Sequence, residues 1–235
     1  MSSNNQNSDP AARRREERHA FLAQAGWARA NAAPITGDAS TRSYERLNLD
    51  GRPAILMNAP PGAESAACPP DASPDERRRL GYNALARLAG PNLNAFTSIA
   101  GALRRAGLSA PEIYAADAAA GFAIIEDLGD DLFARAIPNG APEGELYGAA
   151  IDSLVTLRRN APPAPDGVGY KMLAYDATAL AAETRLVPEW YWPYVKGAPA
   201  EDALYTEYEA AWRPVLAKLS PPSIMVLRDF HAENL

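Results

Sequence analysis

The sequence predicts an α+β protein in which an antiparallel sheet lobe precedes a mainly helical lobe. Three short strand-like segments fall in the first third of the chain, whereas apolar residues recur at helical spacing after residue 131. We therefore expect an N-terminal lobe over 9–128 and a C-terminal lobe over 129–235. The polar residues 1–8 form a tail that is expected to be disordered.

The first element is a predicted helix. Asp9 and Pro10 are typical of a helix N-cap and first helical position, and the pattern runs to about Ala30. A cluster of charges at 13–18 contains both signs, which favours a solvated helix face over a phosphate or membrane patch.

Three strands are predicted next. A strand enters a tight turn over 35–40, and a second strand covers 41–49. Asp50 and Gly51 indicate a hairpin because both residues tolerate a positive φ, and the third strand follows over 52–57.

The remaining elements are predicted from periodicity and turn residues. A Pro-, Ala- and Ser-rich loop covers 60–74, and a hairpin has strands over 111–115 and 121–126. The predicted helices lie over 75–89, 93–107, 143–159, 176–186 and 200–219.

Composition excludes several classes of function. The chain has 235 residues with 23 basic and 29 acidic side chains, and its net charge of -6 argues against a nucleic-acid binder. One cysteine excludes an internal disulfide framework, and no apolar run approaches the roughly 18 residues of a membrane span. The polar N-terminus lacks the apolar stretch of a secretory signal, so we expect a cytoplasmic protein that contacts neither nucleic acid nor membrane. Composition leaves the oligomeric state open.

The last residues of the chain contain the pattern of polar side chains that most strongly indicates a function. Asp229 and Asn234 lie five residues apart and follow an apolar run over 224–227 that we predict to be a strand. On a helix the two side chains would lie about 140° apart, whereas in an irregular loop both can face one ligand. A carboxylate that takes the proton of an attacking hydroxyl, and an amide oxygen that holds Mg²⁺ on nucleotide phosphates, are the parts of a phosphoryl-transfer loop.

Segment 227–235 resembles the catalytic loop of the aminoglycoside phosphotransferase and choline kinase superfamily, which are small-molecule kinases with a protein-kinase-like two-lobe fold. Within that superfamily, further segments are similar to the bacterial cell-wall amino-sugar kinases: 37–47, 56–61, 125–130 and 189–193. The resemblance covers most of residues 20–235. Family members of that branch use ATP to phosphorylate the anomeric hydroxyl of N-acetylmuramate or N-acetylglucosamine in peptidoglycan recycling.

The resemblance implies roles for individual residues, with ATP and Mg²⁺ as cofactors and an amino sugar as substrate. Asp229 would be the catalytic base and Asn234 a magnesium ligand. His231 would either shape the loop, which we favour, or transfer protons.

The nucleotide-binding residues are expected in the N-terminal lobe. Backbone groups of Glu126 and Leu128, in a segment over 126–128 that is expected to be the hinge between the lobes, would bind adenine, and the backbone N–H groups of a turn would hold the phosphates. That turn consists of Asp38, Ala39 and Ser40.

Two departures from the family pattern matter. The lysine expected on the third strand is missing, because Met57 occupies that stretch and no lysine precedes Lys171. Arg42 or Arg46 would replace it, or both lie on an exposed strand face. The second metal-binding acid of the superfamily follows the catalytic loop, and it is not in this chain. We therefore expect a truncated kinase with little or no turnover.

Candidate residues for binding the acceptor sugar lie over 189–194, and each has an alternative structural role. Trp190 begins an aromatic cluster over 190–194 that either anchors a helix junction in the core, which we favour, or stacks on a sugar. Glu189 would accept hydrogen bonds from sugar hydroxyls or be merely exposed. Two other functions stay open: a kinase for another alcohol of the aminoglycoside or choline type, and a non-catalytic nucleotide-binding pseudokinase.

Overall fold

The computed structural model describes residues 9–36, 41–89, 92–167, 169–219 and 223–235. They group into two compact units. The first unit contains the described part of Met1–Ala63 with Ala110–Gly129, and the second contains Glu64–Ser109 with Asp130–Leu235. The first unit thus ends beside the boundary expected at residue 128, whereas residues 64–109, expected in the N-terminal lobe, belong to the second unit.

The first unit is built on an antiparallel sheet, and this sheet with the helices that follow confirms the predicted α+β class. Within the described residues the strand order is β1-β2-β3-β5-β4. The strands are β1 (Asn31–Ile35), β2 (Ser43–Leu49), β3 (Arg52–Asn58), β4 (Ile113–Asp117) and β5 (Phe122–Ile125). The predicted hairpin is confirmed, because Asp50 and Gly51 have φ angles of 53° and 88°.

Helix α1 (Pro10–Gln24) begins as predicted, with the Asp9 carboxylate accepting a hydrogen bond from the Ala11 N–H at 3.1 Å. It ends before the predicted Ala30 because Gly26 adopts a φ of 79°, outside the helical region. Phe21, on the buried face of α1, stacks on Phe122 of the sheet with ring centroids 5.5 Å apart. Phe122, Leu47, Leu56 and Ile124 are fully buried and form the centre of this core.

The interpretation of the charged cluster as a solvated face is wrong for two of its arginines. Arg14 donates to the Asn58 side chain at 2.6 Å and to the Ala120 carbonyl at 2.6 Å, and its guanidinium lies 3.7 Å from the Phe122 ring centroid. Arg18 pairs with Glu45 at 2.7 Å. Both arginines face the sheet because α1 packs on it, and this packing is a tertiary feature that charge composition does not encode.

The second unit is mainly helical. Its helices are α2 (Pro74–Leu80), a π-helical turn (Asn83–Arg87), α3 (Leu93–Arg105), α4 (Phe133–Ala136), α5 (Glu143–Arg159), α6 (Ala177–Leu186), a second π-helical turn (Val187–Tyr191), α7 (Trp192–Lys196) and α8 (Asp202–Leu216). Strands β6 (Asp166–Gly167) and β7 (Tyr170–Lys171) form a short hairpin. The helix predicted over 75–89 is divided at Gly81, which has a φ of 100°.

A buried arginine joins three of these elements. Arg77 of α2 donates to the Ala84 and Leu85 carbonyls of the first π-helical turn at 3.0 and 2.7 Å. Its remaining terminal nitrogen donates to Asp176 at 2.6 Å, and Asp176 caps α6 by accepting from the Ala179 N–H at 2.9 Å. Arg77 therefore fixes the start of α6 relative to α2 and the π-helical turn.

The strand predicted over 224–227 is wrong. Residues 224–227 are irregular, and no described strand pairs with them. An extended segment needs a neighbour for its N–H and C=O groups before it becomes a strand, and apolar sequence alone does not supply one.

No helix among the described residues is long and apolar enough to cross a membrane.

We expect Gly121→Ala to destabilise the first unit. A Cβ at Gly121 would lie 2.1 Å from the Ala59 carbonyl oxygen, and the residue has a φ of 71°. The left-handed conformation costs about 1 kcal/mol for alanine, and the clash raises the expected loss in unfolding free energy to about 3 kcal/mol. Gly51→Ala is the matched control, because it has φ 88° and nothing within 4 Å. Equal losses in urea unfolding of the two variants would contradict the clash.

We expect Arg77→Met to lower the unfolding free energy by about 3 kcal/mol at neutral pH, because it leaves Asp176 and two carbonyls without their partner. Arg79→Met, on an exposed position of the same helix, is the control and should change it by less than about 0.5 kcal/mol. Urea unfolding measures both.

This loss should depend on pH. Burial raises the pKa of the Asp176 carboxyl. The hydrogen bonds from Arg77 and from the Ala179 N–H lower this pKa by more than burial raises it, so the pKa in the folded protein lies below the usual value. The unfolded carboxyl then binds protons more readily, and the stability from this pair is complete at neutral pH and fades as pH falls below about 4. The gap between wild type and Arg77→Met should narrow in acid; a constant gap would contradict this account.

Candidate active site

The segment from Asp229 to Leu235 forms an irregular loop, as its spacing predicts. The Asn234 side-chain amide donates to the Asp229 carbonyl at 2.8 Å, and the Asn234 N–H donates to the His231 carbonyl at 2.8 Å. These bonds bring the Asn234 side chain back beside Asp229, which a helix would not do.

Asn234 is the candidate metal ligand of the loop. Because its amide nitrogen donates to Asp229, its amide oxygen is the atom left to bind a cation, and no described residue donates to it. The described residues contain no group of three or more His, Cys, Asp or Glu side chains that could hold a metal alone. Mg²⁺ suits this arrangement because it uses one or two protein oxygens together with phosphate oxygens and water.

His231 contacts other parts of the loop. Its Nε2 lies 3.2 Å from the Asn234 amide nitrogen, and its Nδ1 lies 3.4 Å from the Glu233 backbone nitrogen. These contacts favour the loop-shaping role over proton transfer.

Both ends of the loop are anchored within the second unit. At its C-terminal end, the Ala232 and Leu235 carbonyls accept hydrogen bonds from Ala134 and Phe133 of α4 at 2.9 and 2.8 Å. At its N-terminal end, Arg228 forms an ion pair with Glu183 of α6. The sequence analysis did not identify Glu183, because 45 residues separate it from Arg228 and no local pattern links them.

The predicted hinge carries its own hydrogen bonds in the first unit. The Glu126 N–H donates to the Glu112 carbonyl at 2.8 Å, and the Gly129 N–H donates to the Asp127 carboxylate at 3.0 Å. The Glu126 N–H is thus committed to the protein, whereas no described residue accepts the Leu128 N–H. Leu128 is exposed, which suits a residue whose backbone N–H binds a ligand.

Arg46 pairs with a residue of the predicted hinge. Its Nε and Nη2 bond both carboxylate oxygens of Asp127 at 2.7 and 3.3 Å, and the Asp127 side chain is only 9% exposed. A two-point pair of this kind holds the Asp127 side chain, and with it the predicted hinge, in one geometry. Arg42 is half-buried, and the phosphate-binding turn predicted at Asp38, Ala39 and Ser40 lies outside the described residues.

The candidate acceptor residues lie in the second unit. Glu189 accepts a hydrogen bond from Arg185 at 3.0 Å and lines an open groove with Trp212 of α8. The core role favoured for the aromatic cluster is wrong for Trp190 and Tyr194, which are 73% and 87% exposed, and Tyr191 is also exposed. Helical periodicity indicates which residues share a face, but it does not say whether another element covers that face.

Comparison with known proteins shows the family of the chain. A model described as "Phosphotransferase enzyme family" matches residues 31–235. The chain belongs to the phosphotransferase enzyme family. This membership confirms the resemblance that the loop and the N-terminal segments indicate.

Three named proteins are similar to the chain over most of its length. The chain is 46% identical over 222 residues to the N-acetylmuramate/N-acetylglucosamine kinase of Caulobacter vibrioides, a match that covers 92% of this chain and 60% of that protein. It is 29% identical over 223 residues to the N-acetylmuramate/N-acetylglucosamine kinase of Pseudomonas aeruginosa, covering 92% of this chain and 54% of the relative. The Pseudomonas putida protein of the same name is 28% identical over 217 residues, 89% of this chain and 53% of the relative. The chain thus spans little more than half the length of these relatives.

We expect Arg46→Gln to weaken binding of a fluorescent ATP analogue by about tenfold, which corresponds to the loss of one hydrogen bond between charged groups at the hinge. Arg29→Gln is the control, because Arg29 forms an exposed pair with Asp50 in the same unit. Unchanged affinity in Arg46→Gln would show that the Arg46–Asp127 pair does not shape the nucleotide site.

Arg42→Ala in the same titration should also weaken binding if Arg42 replaces the strand lysine, and unchanged affinity would remove it from that role.

Proposed function

We propose that the chain carries the nucleotide-binding and catalytic-loop parts of an ATP- and Mg²⁺-dependent cytoplasmic kinase. Its substrate is a cell-wall amino sugar, phosphorylated at the anomeric hydroxyl during peptidoglycan recycling. The observation that carries this proposal is the loop in which Asn234 folds back onto Asp229 while its amide oxygen stays available. The names of the relatives support the choice of sugar.

The loop residues divide the chemistry between them. Asp229 makes no ion pair with a described residue, so its carboxylate can accept the proton of the sugar hydroxyl as that oxygen attacks the γ-phosphorus. Asn234 holds Mg²⁺ through its amide oxygen, together with phosphate oxygens. When bound, Mg²⁺ neutralises the charge that develops on the transferred phosphoryl group.

Nucleotide binding uses the first unit. In the proposal, the Glu126 carbonyl oxygen and the Leu128 N–H bond the adenine, and the Arg46–Asp127 pair keeps this backbone in place. The N–H groups of Asp38, Ala39 and Ser40 hold the phosphates, and Arg42 follows them in sequence with a charge that suits a phosphate oxygen.

The acceptor proposal rests on exposure and hydrogen-bonding capacity. Trp190 presents an open ring that can stack on the apolar face of a sugar, and Glu189 has carboxylate oxygens that can accept from hydroxyls. In the proposed complex, both residues contact the sugar rather than the nucleotide.

A nucleotide-binding protein without transfer activity is the second candidate. The observation that favours it is the absence of any lysine before Lys171. We also propose that the 235-residue chain by itself transfers phosphate slowly or not at all, because it spans 60% of the most similar of the named relatives compared above. An aminoglycoside or choline kinase is less favoured, since Asp127 is engaged by Arg46 and cannot readily bind a cationic acceptor.

The function is tested by exchanging the aligned region of the Caulobacter vibrioides kinase for residues of this chain. We expect the chimaera to transfer ³²P from ATP to N-acetylmuramate or N-acetylglucosamine, and the intact relative is the positive control. Asp229→Ala in the chimaera should reduce transfer by at least about 10³-fold while ATP affinity changes little, because the base acts on the acceptor.

The acceptor panel also contains choline and an aminoglycoside. A folded chimaera that binds ATP but phosphorylates neither sugar would contradict the amino-sugar assignment. Transfer that survives in Asp229→Ala would remove Asp229 from its role. The 235-residue chain assayed in parallel measures its own turnover, and a rate equal to that of the relative would contradict the proposed low activity.

A further inference from the structure

The residue directly before the proposed base is held by side chains from distant parts of the second unit. Arg228 pairs with Glu183 of α6 and donates to the Ala86 carbonyl at 3.3 Å. Its guanidinium carbon lies 5.7 Å from the centroid of the Tyr175 ring. The Arg228 side chain therefore reaches α6, the first π-helical turn and the segment that precedes α6.

Glu183 is shared between two partners. One carboxylate oxygen bonds Arg228, and the other accepts a hydrogen bond from the Tyr82 hydroxyl at 3.0 Å. The side chains of Arg228 and Glu183 are 29% and 26% exposed, so water competes with their pairing less than at an open surface. We call Arg228, Glu183, Tyr82 and Tyr175 the anchor cluster.

The charges of the anchor cluster persist at neutral pH. Burial lowers the pKa of the Arg228 guanidinium, but the Glu183 carboxylate and the two tyrosines raise it above its usual value. Burial, followed by the adjacent Glu183 carboxylate, raises the pKa of the Tyr82 hydroxyl. The arginine thus stays protonated and the tyrosine stays a hydrogen-bond donor.

The anchor cluster and α4 restrain the loop from opposite ends. Arg228 is fixed at the start, and the Ala232 and Leu235 carbonyls are fixed at the end by backbone donors of α4. Asp229 and Asn234 lie between these restraints and bond each other through the Asn234 amide. A displacement of Arg228 moves the adjacent Asp229 backbone, which is the acceptor of the Asn234 amide, and so shifts both groups.

We propose that Arg228 and Glu183, supported by Tyr82, are positioning residues that set the placement of Asp229 and Asn234. The proposal rests on the proposed function, because it takes Asp229 as the base and Asn234 as the metal ligand. Its physical basis is that phosphoryl transfer depends chiefly on positioning, and a misplacement of about 1 Å can lower the rate by about 100-fold. Arg228 and Glu183 act through the loop and need not touch either substrate.

The test uses the 235-residue chain and Glu183→Gln, which keeps side-chain size but removes the charge. Hydrogen exchange is measured at the Phe133, Ala134 and Asn234 amides, which bond the loop carbonyls. We expect about tenfold faster exchange at these amides, the ratio for losing one hydrogen bond to a charged group, with α5 unchanged. Arg185→Gln is the control, because Arg185 lies on the same helix and pairs with Glu189 and Glu209 instead.

A second measurement follows the metal ligand. Electron paramagnetic resonance of Mn²⁺ with saturating ATP should show weaker Mn²⁺ binding in Glu183→Gln, by about the same factor as the exchange rates, if displacement of Asn234 costs one metal–ligand interaction. Tyr82→Phe keeps the ion pair and removes one donor to Glu183, so it should give a smaller change in the same direction. This milder variant covers the case in which Glu183→Gln does not fold.

The outcomes separate this proposal from the proposed function. Unchanged loop exchange in Glu183→Gln and Tyr82→Phe overturns the positioning role, as does faster exchange in α5 equal to that in the loop, which would show a general loss of stability. A chain that binds no Mn²⁺–ATP contradicts the proposed function, whereas the exchange measurement still decides whether the anchor cluster holds the loop. Faster loop exchange in Arg185→Gln equal to that in Glu183→Gln also overturns the specific role of Glu183.

Discussion

The buried guanidinium of Arg77 is the interaction on which the second unit depends. A π-helical turn leaves its last carbonyls without helical partners, and Arg77 donates to two of them, those of Ala84 and Leu85. Arg228 donates to the next carbonyl, that of Ala86. Arg77 also bonds Asp176, which caps α6. One buried cation therefore satisfies backbone groups that would otherwise be costly to bury, and it fixes the helix that carries Glu183.

This arrangement connects packing with the proposed chemistry. α6 presents Glu183 to Arg228, and Arg228 is the neighbour of the candidate base Asp229. The loop itself is short and irregular, and its internal bonds, such as the one from Asn234 to the Asp229 carbonyl, do not alone fix its position in the unit. The helices around it supply that position. The first unit uses the same principle, because Arg46 of β2 binds Asp127 and so holds the hinge backbone.

Local signals in the sequence predicted much of the fold. The Asp9 cap, the hairpin at Asp50 and Gly51, and the start of α6 follow from residue types whose conformational preferences act within a few residues. Predictions failed where a partner was needed. Residues 224–227 are as apolar as a buried strand, but they pair with no described strand. Trp190 has a large apolar ring of the kind that often lies in a core, but it is exposed.

The sequence by itself determined the α+β class, the family, and the identity and spacing of Asp229 and Asn234, because a chemical motif is carried by residues close together in the chain. The tertiary structure decided which charges are structural. Arg14, Arg46, Arg77 and Arg228 look alike in sequence, yet each bonds at least one residue that lies between 81 and 142 positions away. Such pairing is set by how helices and strands pack, and packing depends on the whole chain rather than on any local pattern.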